Sequence, residues 1–211
     1  MIGMLIPDIR TPFYGRIFSV CEQRALKRGY VLALCNSFNS LKLETHFYKQ
    51  LLAQHACGIV QIGGSLDRQM IPPQLYSQIK STAEKIPVIT SVPVKNTDCR
   101  CIYVDNTRSM RTLLEYLIGL GHRRIAFVGG RSDVWSTMEK RRTYSEVLKE
   151  RGIAHEIICE GSYGKEDGYF AVKSLLRRGE DFTAVIAITD TCAMGVIQAL
   201  SENGLQCGKD I

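Results

Sequence analysis

Short runs of apolar, mostly β-branched residues alternate with longer stretches of helical period along the whole chain. That alternation confines it to a layered α/β fold on mostly parallel strands. Eight runs have the length and composition of strands: 2–6, 31–34, 58–62, 87–91, 102–104, 125–128, 156–159 and 184–188. Between them, Ile17, Val20, Cys21 and Ala25 share one helical face, as do Leu43, Phe47 and Leu51, and Leu113, Leu114, Leu117 and Leu120. Each such stripe can lie on a sheet. Gly29 and Gly121 follow two of these helices, where a left-handed cap favours glycine, and a strand begins shortly after each. Right-handed β-α-β crossovers then give a parallel sheet with helices on both faces.

One stretch interrupts the series. After 87–91 comes Val92-Pro93-Val94-Lys95-Asn96-Thr97-Asp98, polar and rich in turn formers, before a second series opens at Ile102. The expected organisation is two doubly wound parallel-sheet lobes, residues 1–93 and 101–211, joined by a hinge at 94–100. Ligands of open α/β sheets bind outside the carboxyl ends of the strands, so two such lobes facing each other would make a cleft.

Composition narrows the function classes. The chain has 211 residues, 45% of them apolar, enough for a substantial core. No window approaches eighteen uninterrupted apolar residues, and Met1 leads into Ile-Gly-Met-Leu-Ile-Pro without a basic leader, so a soluble, cytoplasmic protein without membrane contact is expected. Eight cysteines contain no Cys-x-x-Cys and mostly sit in apolar runs, where Cys acts as a small hydrophobe. The net charge of +6 invites a nucleic-acid reading, but Lys and Arg interleave with Glu and Asp along the helices, which reads as solvated helix faces. The chain has no Walker loop, no Gly-x-Gly-x-x-Gly after a strand, no Gly-x-Ser-x-Gly elbow and no His-Glu-x-x-His, and its four histidines have no ligand spacing. The residues therefore point to a binding protein and not an enzyme, with no cofactor and no metal expected.

Candidate ligand contacts are the groups just after the strands. The first turn carries Asp8, then Phe13 and Tyr14, whose flat rings suit a sugar or purine face and equally serve to staple a helix to the sheet. Later strands lead into Gly63-Gly64-Ser65, Asp105-Asn106, Gly129-Gly130, Gly161-Ser162-Tyr163 and Thr189-Asp190. Asp105 and Asp190 serve equally as ligand contacts or as helix caps. Gly129-Gly130 fits an anion nest or, more simply, a tight turn.

The run Ile2-Gly3-Met4-Leu5-Ile6-Pro7 through Phe13-Tyr14, with Val104-Asp105-Asn106 and Gly121-His122-Arg123-Arg124-Ile125-Ala126-Phe127-Val128-Gly129-Gly130, resembles the effector-binding core of LacI/GalR transcription regulators. So does the later stretch from Thr183-Ala184-Val185-Ile186-Ala187 through Gly208-Lys209-Asp210-Ile211. The resemblance implies a periplasmic-binding-protein-like core of type I that forms a homodimer and binds a small effector. The effector would be a sugar, a sugar phosphate or a purine. It also implies operator DNA as a partner through a helix-turn-helix that this chain lacks, together with a C-terminal end that it lacks. A second lobe truncated in that way would leave sheet edge exposed, so marginal stability is expected.

By the same resemblance Phe13 and Tyr14 would contact the effector from one lobe, and Asp105, Tyr163 and Thr189 from the other, with Asp8 and Asp190 beside them. The family's pocket Arg falls at Lys140, counted back from Tyr144. Either Lys140 or its neighbour Arg141 would take that role, and Trp135 and Ser136 lie just upstream. The cations Lys140, Arg141 and Arg142 fit an anionic effector or a solvated helix face. A sugar-binding protein of a transport system shares the fold and is the alternative.

Overall fold

Five apolar residues in succession suit a strand covered on both faces, and Ile2–Ile6 is β1, with Met4, Leu5 and Ile6 at most 1% exposed. The structure, a computed structural model, describes residues 1–211, which divide into two compact units, Met1–Val104 and Asp105–Ile211. The first unit continues through α1 (Pro12–Leu26), β2 (Leu32–Asn36), α2 (Leu41–Ala53), β3 (Gly58–Gln61), α3 (Pro73–Ala83), β4 (Val88–Thr90) and β5 (Arg100–Cys101). All five strands are parallel in the order β2-β1-β3-β4-β5, with Met4 registered between Leu34 and Val60. Side chains alternate across a strand, so Met4 and Ile6 meet α1 residues such as Ala25 on one face. Leu5 joins Tyr48, Leu51 and Ile79 of α2 and α3 on the other.

The second unit runs α4 (Asn106–Gly119), β6 (Ile125–Val128), α5 (Trp135–Glu150), β7 (Ile157–Cys159), α6 (Lys165–Arg177), β8 (Ala184–Ala187) and α7 (Asp190–Glu202). Its parallel order, β7-β6-β8, repeats the winding of β2-β1-β3. One core holds it, around Leu114, Phe127, Tyr144, Val172 and Ala199. The Tyr144 hydroxyl donates to the Ile125 carbonyl (2.7 Å) and accepts the Ile157 amide (3.0 Å), tying α5 to β6 and β7; burial pushes this phenol up to about 12. Helices α6 and α7 approach through glycine. A Cβ on Gly195 would lie 1.8 Å from the Lys165 carbonyl oxygen, and one on Gly168 would lie 2.0 Å from that of Cys192.

The structure departs from the sequence expectations in several places. The break between units follows Val104, and the stretch 94–100 belongs to the first unit. Tyr76 donates its hydroxyl to the Lys95 carbonyl, Val94 is buried, and Arg100–Cys101 pair with β4. Ile102, Tyr103 and Val104 lie beyond that strand, each more than 60% exposed: only Ile102 still bonds to the sheet, through its amide to Thr90. Three helical stripes are also rotated. Val20, Leu113 and Leu120 face solvent, and Glu44 is buried where Leu43 was expected, because its carboxylate bonds to the chain after β3. The glycine caps stand, with φ of +76° at Gly29 and +97° at Gly121.

Candidate functional site

Where a sheet winds first to one side and then to the other, the loops at the carboxyl ends of the central strands diverge and leave room for a ligand. In the first unit that point lies beyond β1 and β3. Proline fixes the β1–α1 turn at Pro7 and Pro12, and the Asn36 amide oxygen accepts the Ile9 N–H at 3.0 Å. Asp8 accepts the Arg10 amide at 2.9 Å and a two-point grip from its guanidinium, with 2.7 Å to Nη2. Those hydrogen bonds from Arg10 hold the Asp8 carboxyl below its usual range.

Phe13 is more than half exposed and Tyr14 half-buried, their rings edge to face at 5.1 Å. Across from them Gly63 and Gly64 take φ near +73°, and each is closely abutted. A Cβ on Gly63 would meet the Tyr14 hydroxyl at 2.4 Å, and one on Gly64 would meet Glu44 at 2.3 Å. The Ser91 hydroxyl accepts the Gly63 amide (3.0 Å) and Glu44 accepts the Ser65 amide (2.9 Å), so this turn is held from α2 and from the chain just after β4.

Glu44 was not anticipated, whereas Ser65 stands in the turn expected after β3. Glu44 is wholly buried, burial raises its carboxyl above the usual range, and its second oxygen and the Ser65 hydroxyl have no hydrogen-bond partner. Nothing in local periodicity distinguishes a buried Glu on a helix from an exposed one; Tyr48, one turn on and bonded to buried Gln61 at 2.9 Å, marks the same polar layer.

In the second unit the equivalent point lies beyond β6 and β8. Gly129 and Gly130 have φ of +88° and +82°, and their amides are committed to the carbonyls of Cys159 and Ser162. They make a tight turn and leave no anion nest. Tyr163 is anchored at both ends: its hydroxyl shares a hydrogen bond with Thr137 (2.9 Å), and its carbonyl accepts the Thr189 hydroxyl (2.9 Å). Thr189 also caps α7, accepting the Cys192 amide at 3.1 Å, and Asp190, the first residue of that helix, is exposed. Trp135, 42% exposed, begins α5, and half-buried Lys140 lies five residues further on.

Asp105 caps α4 through the Arg108 amide (2.8 Å), and the next residue, Asn106, bonds to Glu139 beside Lys140 (3.1 Å). Arg141 is occupied differently from the expectation. Its guanidinium donates to the Gly130 carbonyl (2.7 Å) and pairs with Glu160, so it braces the turn after β6. Thr137, missed in the sequence, is fully buried beneath Tyr163.

Within each unit these residues share the strand-end loops: Phe13 and Tyr14 touch in the first, with Asp8 in the same turn, and Tyr163 and Thr189 are joined in the second, with Trp135 and Asp190 at the starts of α5 and α7. Exposed ring faces, hydroxyls, a carboxylate and an ammonium suit a small polar molecule. No group of three or more His, Cys, Asp or Glu gathers at metal-binding distance, and no helix is long and apolar enough to cross a membrane. All eight cysteines are free thiols; desolvation raises most of the covered ones, Cys35 to about 11, which suppresses their reactivity.

The model of periplasmic binding proteins and the sugar-binding domain of the LacI family matches residues 1–211. Among curated relatives, catabolite control protein A of Priestia megaterium is 28% identical over 214 residues, covering 100% of this chain and 62% of that protein. The HTH-type transcriptional regulator GalR of Escherichia coli is 26% identical over 214 residues, covering 100% and 60%. This chain therefore spans about three fifths of the length of those relatives. Among solved structures, the transcription regulator CcpA of Lactococcus lactis shares the fold with a TM-score of 0.83 at 23% identity, covering 100% of this chain and 75% of that one.

Proposed function

Because the chain belongs to the family of periplasmic binding proteins and LacI-type sugar-binding domains, we propose that it is the effector-sensing core of a LacI-type transcription regulator. A small molecule of the sugar, sugar phosphate or purine kind binds at the carboxyl ends of its strands and changes operator affinity. Such coupling requires only that the effector favour one arrangement of the protein over another. The whole regulator would reach operator DNA through a helix-turn-helix, act as a homodimer, repress, and work in the cytoplasm beside its DNA.

The observation that carries this reading is the second unit's strand-end set. Tyr163 is fixed by Thr137 and Thr189, with Trp135 exposed and Lys140 five residues further along the same helix. The bracing role of Arg141 supports Lys140 as the cationic ligand contact. A Lys in place of the family's Arg gives a point charge without a planar fork, which suits a compact anionic group. Asp8, Phe13, Tyr14, Asp105 and Asp190 complete the proposed set.

A thermal-shift screen against sugars, sugar phosphates, nucleosides and purines tests it. A true effector at about one hundred times its Kd adds about 2.7 kcal/mol of apparent stability. Trp135→Ala and Lys140→Ala should abolish that shift while leaving the unliganded melting point within about 2 °C. If no compound in the panel shifts the wild type, or the two variants respond as it does, the sensing assignment fails.

A further inference from the structure

Helices α1 and α5 occupy the same place in the two windings, α1 joining β1 to β2 and α5 joining β6 to β7. Both carry cations near their carboxyl ends, as the helix dipole favours. On α5 most of those charges are neutralised, Lys149 alone of its carboxyl-end cations standing without an ion pair. Arg142 pairs with Glu146, Arg151 with Glu115, and Glu150 of the helix itself receives Arg111 at 2.6 Å. On α1 and the turn after it, Arg16, Arg24, Lys27 and Arg28 are all exposed and none forms an ion pair. At 100° per residue they fall on one flank; Glu22, the helix's only acid, points off another.

The imbalance extends to the whole unit. Residues 1–104 hold twelve Lys and Arg against six Asp and Glu, and residues 105–211 hold fifteen against fifteen, so the entire +6 of the chain lies in the first unit. The interleaving expected from the sequence describes the second unit alone. Helix dipoles act on both units alike and do not account for the difference.

We infer that the Arg16–Arg28 flank of the first unit is a contact surface for the phosphate backbone of double-stranded DNA. Unpaired, exposed cations with no carboxylate among them bind a phosphate polymer by releasing its counterions, whatever its base sequence. A second copy of this chain is a poor occupant, since a two-fold contact through this flank would set like charges against each other. The contact would add affinity without specificity. It stands apart from effector binding, because Arg16 and its partners belong to none of the proposed effector contacts.

Fluorescence anisotropy of the 211-residue chain with mixed-sequence duplex DNA, without effector, tests the inference. Binding should weaken roughly 100-fold between about 50 and 200 mM salt, as four phosphate contacts require. Arg24→Gln/Lys27→Gln/Arg28→Gln should flatten the slope of log K against log salt by about 3. The control Arg142→Gln/Lys149→Gln/Arg177→Gln, which removes equal charge from the second unit, should leave it nearly unchanged. Four results would overturn the assignment: no binding at about 50 mM salt, equal losses in both triple variants, binding to polyglutamate as tight as to DNA, or loss of self-association as the only effect of the α1 substitutions. Circular dichroism of each variant confirms that it is folded before it is scored.

Discussion

The two units share a winding but differ in how they hold themselves together. The first spreads its core over both faces of a five-stranded sheet, and its cations largely stand alone. The second gathers one core around three strands, closes α6 on α7 through glycine, and pairs many of its surface charges. Topology is therefore satisfied by different means in one chain. The second unit depends on close backbone approach and a two-way tyrosine, whereas the first depends on buried polar ties such as Glu44 to Ser65. A net charge taken over the whole sequence hides the difference, since it averages a basic unit with a neutral one.

The largest test of that contrast is Gly195→Ala. The new methyl meets a backbone carbonyl that cannot swing away, so a loss of about 3 kcal/mol is expected. Residue-resolved hydrogen exchange should show the loss of protection confined to 105–211. Equal loss in 1–104 would mean that the units do not behave separately. By contrast, a Cβ on Gly3 meets only the flexible tip of Leu51, so Gly3→Ala should cost less.

Tyr144→Phe comes next. It removes one hydroxyl with two partners, leaving the Ile157 amide and Ile125 carbonyl short of a bond, and should cost about 2 kcal/mol in urea unfolding. Tyr48→Phe, which breaks a single bond to Gln61, should cost about 1 kcal/mol. If the order were reversed, the two-way tie would not be what distinguishes the second unit.

Glu44 gives a pH signature to the first unit. Its folded pKa is raised by burial, so the folded state holds the proton more tightly than the unfolded one. Its contribution is then fully present below the usual Glu range and is lost as pH rises toward the raised folded value. Glu44→Gln should flatten that decline and stabilise the protein near neutral pH, since an amide can reach the unpartnered Ser65 hydroxyl. An unchanged pH profile would remove Glu44 from the account.

The smallest effect is that of salt. Screening relieves repulsion among unpaired cations, so raising salt from about 50 to 500 mM should lift the melting of the first unit by about 1–2 °C. The second unit should change less, because its exposed pairs contribute little and are screened in turn. A larger rise in the second unit would contradict the charge comparison.

Much of this molecule is written locally. Strand periods, glycine caps at Gly29 and Gly121, and Pro7 and Pro12 in the first turn depend on residues a few positions apart, so the α/β layers and the positions of the strand-end loops were legible in the sequence. That Phe13, Tyr14, Tyr163 and Thr189 fall in or at the end of the connections leaving strands was legible for the same reason. What depended on distant partners was not. Glu44 is buried because the Ser65 amide, 21 residues away, needs its oxygen; Arg141 turns to the Gly130 carbonyl; Tyr163 is steadied by Thr137 from another helix; and β5 starts at Arg100 because β4 offers it an edge. Local spacing determines which elements form and which face is apolar. Only the packed chain decides which polar group meets which, because a hydrogen bond gains its strength where tertiary structure has already excluded water.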